Sequence, residues 1–279
     1  MQVIRTIAEL RAWSRASRGA GKSVGLVPTM GALHEGHLSL VRAAKASCGA
    51  VAASIFVNPT QFGPNEDFAL YPRTFDADCK LLEAEGADVV FAPTTAEMYP
   101  AAASTYVEVA GLSERLDGSS RPGHFRGVAT VVAKLLIAAE PDCAVFGQKD
   151  AAQVAVLRCM VKDLGLPVEL VVCPIVREPD GLAMSSRNRY LSTEERMQAL
   201  VLSHALEAVQ RSAQAGERRA TALVEAAQQV FASEPEVRVD YIAVVDWATL
   251  EPVQEIGPET LFAVAAYLGT TRLIDNFVF

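Results

Sequence analysis

The chain has 279 residues, 51% of them hydrophobic and 21% charged, with a formal net charge of −8. That length and apolar content support one large domain with a smaller one and a sizeable core. The acidic balance argues against nucleic acid or an anionic membrane as the main partner. No apolar run reaches the length of about 18 residues that a bilayer span needs, and residues 1–5 carry no signal-peptide h-region. The five cysteines, Cys48, Cys79, Cys143, Cys159 and Cys173, have no C-x-x-C spacing and fall mostly in apolar runs. Reduced, buried thiols in a cytoplasmic protein are the expectation.

In chain order, helix-period segments over 7–18, 38–48, 75–85, 128–139 and 151–162 alternate with short apolar runs. The runs, at 24–27, 50–57, 89–91, 143–146 and 168–172, do not alternate in polarity. Unalternating strands between amphipathic helices predict an α/β fold, a Rossmann-like parallel sheet with helices on both faces. Ligands of such sheets bind beyond the carboxyl ends of the strands. The character changes near Leu191. Ser192-Thr193-Glu194-Glu195 reads as a helix N-terminus, with acidic residues in the first turn. Helices over about 193–214 and 220–232 and strands over 237–245 and 261–268 predict a smaller C-terminal α+β domain. The division expected is 1–183 and 184–279, within a boundary zone of 178–192.

Three segments at predicted strand ends carry chemistry. The first is Pro28-Thr29-Met30-Gly31-Ala32-Leu33-His34-Glu35-Gly36-His37, where a strand hands over to a helix. A spacing of three puts both imidazoles on one face of the first turn. Helix N-termini offer unpaired N–H groups and a positive dipole end, and Gly31 and Gly36 admit close approach to the backbone. The tenant this predicts is a nucleotide with its phosphates over His34 and His37. H-E-G-H lacks the spacing of a zinc helix. The other segments are Asn58-Pro59-Thr60-Gln61-Phe62-Gly63 and Gly147-Gln148-Lys149-Asp150. Two other patterns carry no site. Gly19-Ala20-Gly21-Lys22-Ser23 resembles the tail of a P-loop, but Ala16 stands where the pattern requires glycine, and the stretch follows a helix. A glycine helix cap explains it better. Phe125 and the valines after it read as core.

The loop Met184-Ser185-Ser186-Arg187-Asn188-Arg189 is Ser-rich and basic. Combined with the H-x-G-H pair it resembles the two ATP-gripping signatures of the nucleotidylyltransferase superfamily, which includes class I aminoacyl-tRNA synthetases. The resemblance is closer to the pantothenate synthetase (pantoate–β-alanine ligase) family. It rests on 27–37, 56–63, Tyr71-Pro72-Arg73-Thr74, 121–128, 146–150, 176–191 and Gly269-Thr270-Thr271-Arg272-Leu273-Ile274-Asp275-Asn276, and covers nearly the whole chain.

The resemblance implies an ATP-dependent joining of (R)-pantoate to β-alanine through a pantoyl-adenylate, releasing AMP and pyrophosphate. It implies ATP as co-substrate with Mg²⁺, whose protein ligands the sequence does not reveal, and a homodimer. The segment 128–139 is the interface candidate that the sequence offers. Met30, Gly31, Ala32, Leu33, His34, Glu35, Gly36 and His37 would line the nucleotide. Gly147 and Asp150 would hold the ribose with Gln148 beside them, and Val176 and Met184 would flank adenine. His34, His37, Lys149, Ser185, Ser186 and Arg187 would stabilise phosphate charge. Gln61 and Gln153 would grip pantoate, with Pro28, Met30 and Phe62 on its gem-dimethyl group and Asn58 orienting phosphate or pantoate. The proton acceptor for the β-alanine amine stays open between His34 and water. Two rival readings remain at this stage: a related adenylate-forming enzyme with another acid, and an inactive nucleotide-binding module.

Overall fold

Short runs of alanine, valine and other small or branched apolar residues form the strands, and amphipathic segments between them form the helices. The computed structural model describes residues 1–64 and 66–279. Two compact units emerge, one of residues 1–147 and 156–174 and one of 148–155 and 175–279. This division differs from one at 183/184 by grouping 148–155 and 175–183 with the C-terminal residues.

The first unit contains β1 (Gln2–Ile4), α1 (Ile7–Gly19), β2 (Val24–Thr29), α2 (Glu35–Ser47), β3 (Ala50–Ile55), α3 (Phe75–Ala84) and β4 (Val89–Phe91). After the one-turn helices α4 (Thr95–Met98) and α5 (Asp117–Ser120) come α6 (His124–Ala139) and β5 (Cys143–Gly147). Helix α7 (Ala151–Asp163) then leads to β6 (Glu169–Cys173). All six strands are parallel, in the order β1-β4-β3-β2-β5-β6. From β2 the chain steps one way through α2 to β3, and from β5 the other way through α7 to β6. Right-handed crossovers in opposite directions lie on opposite faces, so the sheet is covered on both. One face buries Val27, Val51, Ala53, Val90 and Val145 against Leu40, Val41 and Ala44 of α2 and Leu82 of α3. Helices α1 and α6 pack on each other and on β2. The order reverses between β2 and β5, which makes the carboxyl ends of these two strands the crevice for a ligand.

The second unit contains α8 (Thr193–Gln198), α9 (Leu200–Gln214), α10 (Ala220–Phe231), β7 (Arg238–Asp246), β8 (Thr260–Leu268) and β9 (Thr271–Val278). The three strands form an antiparallel meander, β7-β8-β9. Its apolar face, with Phe262, Val264 and Leu273, packs under Leu202, Leu206 and Val209 of α9 and Leu223 and Ala227 of α10. Gly269 takes φ +53° in the two-residue turn from β8 to β9, where a Cβ would stand 2.5 Å from Glu195 Oε1.

The predicted α/β architecture with a smaller α+β domain is the observed one. Five differences have local causes. β1 is only three residues long, too short for periodicity to register. β9 carries Asp275 and Asn276, residue types that depress strand propensity. α6 starts at His124 rather than 128, after Gly123 at φ +82°. α2 starts at Glu35 rather than 38. The helix expected over 193–214 is two, because Leu202 N–H turns to Ala199 O (3.2 Å) at the junction. The P-loop look-alike is the end of α1 followed by Gly21 at φ +75°, and Phe125 is buried. All five cysteines are free thiols.

Candidate active site

The loop from β2 to α2 is held by residues distant in sequence. Gly31 and Ala32 both take positive φ, +83° and +51°. The turn they make aims the N–H groups of Ala32 and Leu33 at the buried carboxylate of Asp78 (3.0 and 2.9 Å). Thr74 Oγ1 donates to the same carboxylate. Ala32 and Leu33 are themselves buried, so their amides shape the loop that presents the histidines.

His34 is the N-cap of α2, with extended backbone (φ −143°, ψ 175°). Its Nδ1 accepts from Gly36 N–H (3.2 Å), and His37 Nδ1 accepts from His34 N–H (3.4 Å). This is a capping box with imidazoles in both roles, and the ring centroids are 4.2 Å apart. Because each Nδ1 is an acceptor, each neutral ring carries its proton on Nε2. Two N–H donors are thus set side by side at a helix N-terminus beyond the carboxyl end of β2. Glu35 is exposed and ion-pairs with Arg42, which also pairs with Glu85.

A second cluster in the same unit surrounds the 3₁₀ turn Pro59–Gln61. Asn58 is 1% exposed and spends every polar atom within the protein. Its Nδ2 donates to Gln61 Oε1 (3.0 Å) and Gly127 O (3.2 Å), while its Oδ1 accepts from Tyr99 Oη (2.8 Å) and Thr60 Oγ1 (2.9 Å). Asn58 therefore orients the Gln61 side chain, whose Nε2 reaches Met30 Sδ (3.4 Å). Phe62 meets Phe68 and Tyr71 edge-on.

His124 fixes the backbone of the same turn. The Arg121 guanidinium can only donate, so its 3.0 Å approach to His124 Nε2 makes that nitrogen the acceptor. Nδ1–H then donates to Gln61 O (2.8 Å). Burial, reinforced by the Arg121 charge, lowers the His124 pKa to about 4. Arg121 also forks onto Glu66 (2.8 and 2.6 Å). Burial opposes ionisation of Glu66, but the bonds and charge of Arg121 outweigh it and hold the carboxyl below its usual range. Gly127 on α6 abuts the turn, where a Cβ would lie 2.3 Å from Thr60 O.

The remaining candidates, apart from Gly147 at the end of β5, belong to the second unit. Gln148–Asp150 form a 3₁₀ turn, with Lys149 Nζ 4.0 Å from Asp150 Oδ1. Gln153 is half-buried on the first turn of α7. Val176 O accepts from Met184 N–H (3.0 Å), and Arg177 bridges Ala183, so 176–184 is a narrow hairpin-like loop. Ser185 N-caps the 3₁₀ turn Ser186–Tyr190 by accepting from Arg187 N–H (3.3 Å).

Within each unit the structure thus brings together His34 with His37, Met30 and Asn58 with Gln61, Lys149 with Asp150, and Val176 with Met184. The sequence reading did not single out Asp78, Tyr99, Glu66 or His124. Arg121, His124 and Gly127 stood only inside a resembling segment, and no local spacing marks the distant partners Glu66 and Gln61, 55 and 63 residues away.

The family model described as pantoate-beta-alanine ligase matches residues 2–278. The pantothenate synthetase of Acidobacterium capsulatum is 64% identical over 99% of this chain and 96% of its own. That of Koribacter versatilis is 59% identical over 100% and 96%. Among solved structures, pantothenate synthetase from Thermus thermophilus superposes with a TM-score of 0.94 at 46% identity, covering 99% of both chains. Pantoate-beta-alanine ligase from Francisella tularensis, complexed with beta-gamma ATP and beta-alanine, gives 0.81 at 33% identity, covering 100% of this chain and 97% of that one.

Proposed function

The chain belongs to the pantoate–β-alanine ligase family, and we propose that it condenses (R)-pantoate with β-alanine at the expense of ATP, through a pantoyl-adenylate. The observation that carries this reading is the reciprocal His34–His37 cap, which readies two Nε2–H donors at a helix N-terminus. A carboxylate oxygen of pantoate attacks the α-phosphorus of ATP, and pyrophosphate leaves with the electron pair of the broken P–O bond. Charge grows on the phosphate oxygens, and catalysis is positioning with charge stabilisation. His34 and His37 donate to those oxygens. Lys149 and Arg187 neutralise the polyphosphate, and Ser185 and Ser186 add hydrogen bonds. Asp150 and Gly147 hold the ribose, Val176 and Met184 flank adenine, and Gln61 and Gln153 grip pantoate.

The β-alanine amine then attacks the acyl carbon, loses a proton, and expels AMP. Both histidine Nδ1 atoms accept backbone N–H bonds, and both Nε2 atoms are protonated. That supports water, rather than His34, as the proton acceptor. A His34→Ala enzyme that consumes preformed pantoyl-adenylate at the normal rate agrees with this assignment, and one slowed at that step overturns it.

Mg²⁺ enters with the nucleotide in this reading, screening phosphate charge. Among the described residues no group of three or more His, Cys, Asp or Glu makes a protein cage for a metal; phosphate oxygens, water and at most one or two carboxylates are the ligands such an ion would ordinarily take. No helix among the described residues is long and apolar enough to cross a membrane. We place the enzyme in the cytoplasm as a homodimer, which sedimentation at micromolar concentration tests.

The deciding experiment is ATP–pyrophosphate exchange with D-pantoate and a panel of other acids. Exchange with pantoate alone, followed by AMP release on adding β-alanine, is the expected result. ATP binding without exchange overturns the reading. His37→Ala should slow exchange by about 10²–10³-fold, the usual effect of a lost oxyanion donor.

A further inference from the structure

Two neighbouring residues of β9 tie down two separate loops of the second unit. Asn276 is 3% exposed. Its Nδ2 donates to Gln148 O (3.1 Å) and Lys149 O (2.8 Å), and its Oδ1 accepts from Gln148 Nε2 (3.2 Å). One side-chain amide thus fixes two successive carbonyls of the turn that bears Lys149 and Asp150, together with the Gln148 side chain.

Asp275 is 1% exposed. It accepts two bonds from Arg177 (2.6 and 3.0 Å) and one from Asn276 N–H (2.8 Å). Burial raises the Asp275 pKa, with the Arg177 bonds and charge working against that rise. Arg177 also donates to Gly181 O (2.9 Å) and bridges Ala183. It therefore closes the base of the loop whose exit strand runs into Met184, Ser185, Ser186 and Arg187. Adjacent strand residues face opposite sides of a sheet, which lets one dipeptide serve both loops.

We propose that Asn276, and Asp275 acting through Arg177, are positioning residues for nucleotide binding, registering the Lys149–Asp150 turn and the Ser185–Arg187 loop on one strand. The inference rests on the reading of Lys149, Asp150 and Ser185–Arg187 as the grip on ATP. Neither β9 residue touches the nucleotide in this scheme. They act by fixing the backbone from which the gripping groups project. An alanine at 276 leaves two carbonyls and a glutamine amide without their partner.

The test compares the full-length wild type with Asn276→Ala, Asn276→Ser, Asp275→Asn and a core control, Val264→Ala on β8. Each is measured for ATP affinity by calorimetry, for KM toward ATP and pantoate, and for thermal midpoint. Asn276→Ala should weaken ATP binding by about tenfold or more while changing the pantoate KM by less than about twofold. Asp275→Asn should move in the same direction. Asn276→Ser opens a smaller cavity and keeps the test alive if the alanine variant does not fold. Val264→Ala should lower the thermal midpoint without the change in ATP affinity. Unchanged ATP affinity in the 276 variants overturns the proposal, as does an equal change in the Val264 control. A wild type that binds ATP but shows no pantoate-dependent exchange breaks the reading of the reaction and leaves this test intact. A wild type that does not bind ATP overturns both.

Discussion

At the scale of single residues, His124 shows how a buried neutral imidazole holds the backbone of the Pro59–Gln61 turn. Its folded pKa, about 4, lies below the usual histidine value. The unfolded chain therefore takes up the proton first as pH falls. The stability that the neutral ring contributes is complete above the unfolded pKa, and is lost as pH drops from about 6.5 toward 4. A shift of this size corresponds to about 3 kcal/mol. His124→Asn keeps an N–H for Gln61 O and removes the titration. Denaturant titrations at pH 7 and near pH 4.5 should show a smaller acid loss in the variant than in the wild type. Gly127 presents the steric counterpart. The Cβ of Gly127→Ala would meet Thr60 O at 2.3 Å and Gln61 Cα at 2.7 Å, both backbone atoms. A cost of about 2 kcal/mol and a raised pantoate KM are expected, with the ATP KM little changed. Steady-state kinetics and a melt check both.

At the scale of elements, the β2–α2 loop depends on α3. Asp78 accepts from Ala32 N–H and Leu33 N–H across 46 and 45 residues of sequence. Asp78→Ala leaves those two donors and the Thr74 hydroxyl without their acceptor. It should cost about 3 kcal/mol and slow adenylation by misplacing His34 and His37. Asp78→Asn, which keeps one carbonyl oxygen, should lie between. The parallel sheet, the helices on its faces and the His34–His37 pair were all legible in the sequence, because each is written in local pattern: apolar runs, helical period, glycines beside histidines. The roles of Asp78, His124 and Asn276 were not, because the backbone groups they hold lie 45 or more residues away and no spacing encodes them. Asn58 illustrates the intermediate case. Its place in the site was visible, but its task of holding Gln61 follows only from the partners that fill all its bonds.

At the scale of the whole molecule, the chain enters the second unit at residue 148, returns to the first at 156 and leaves it again after 174. No single cut separates the two units. The pieces carrying Lys149 and Arg187 therefore belong to the same unit as β9, although the helix begun at Ala151 ends in the other. A chain stopped before residue 275 should lose ATP affinity more completely than any single substitution on β9, which binding of ATP to the truncated protein would measure. The turn at Gln148 leaves the ribosome 128 residues before the asparagine that anchors it. On the proposed role of Lys149 and Asp150, the nucleotide grip is completed only after the parallel sheet has emerged in full. An unfinished chain thus holds every residue of its parallel sheet before the β9 anchor of the Gln148 turn exists.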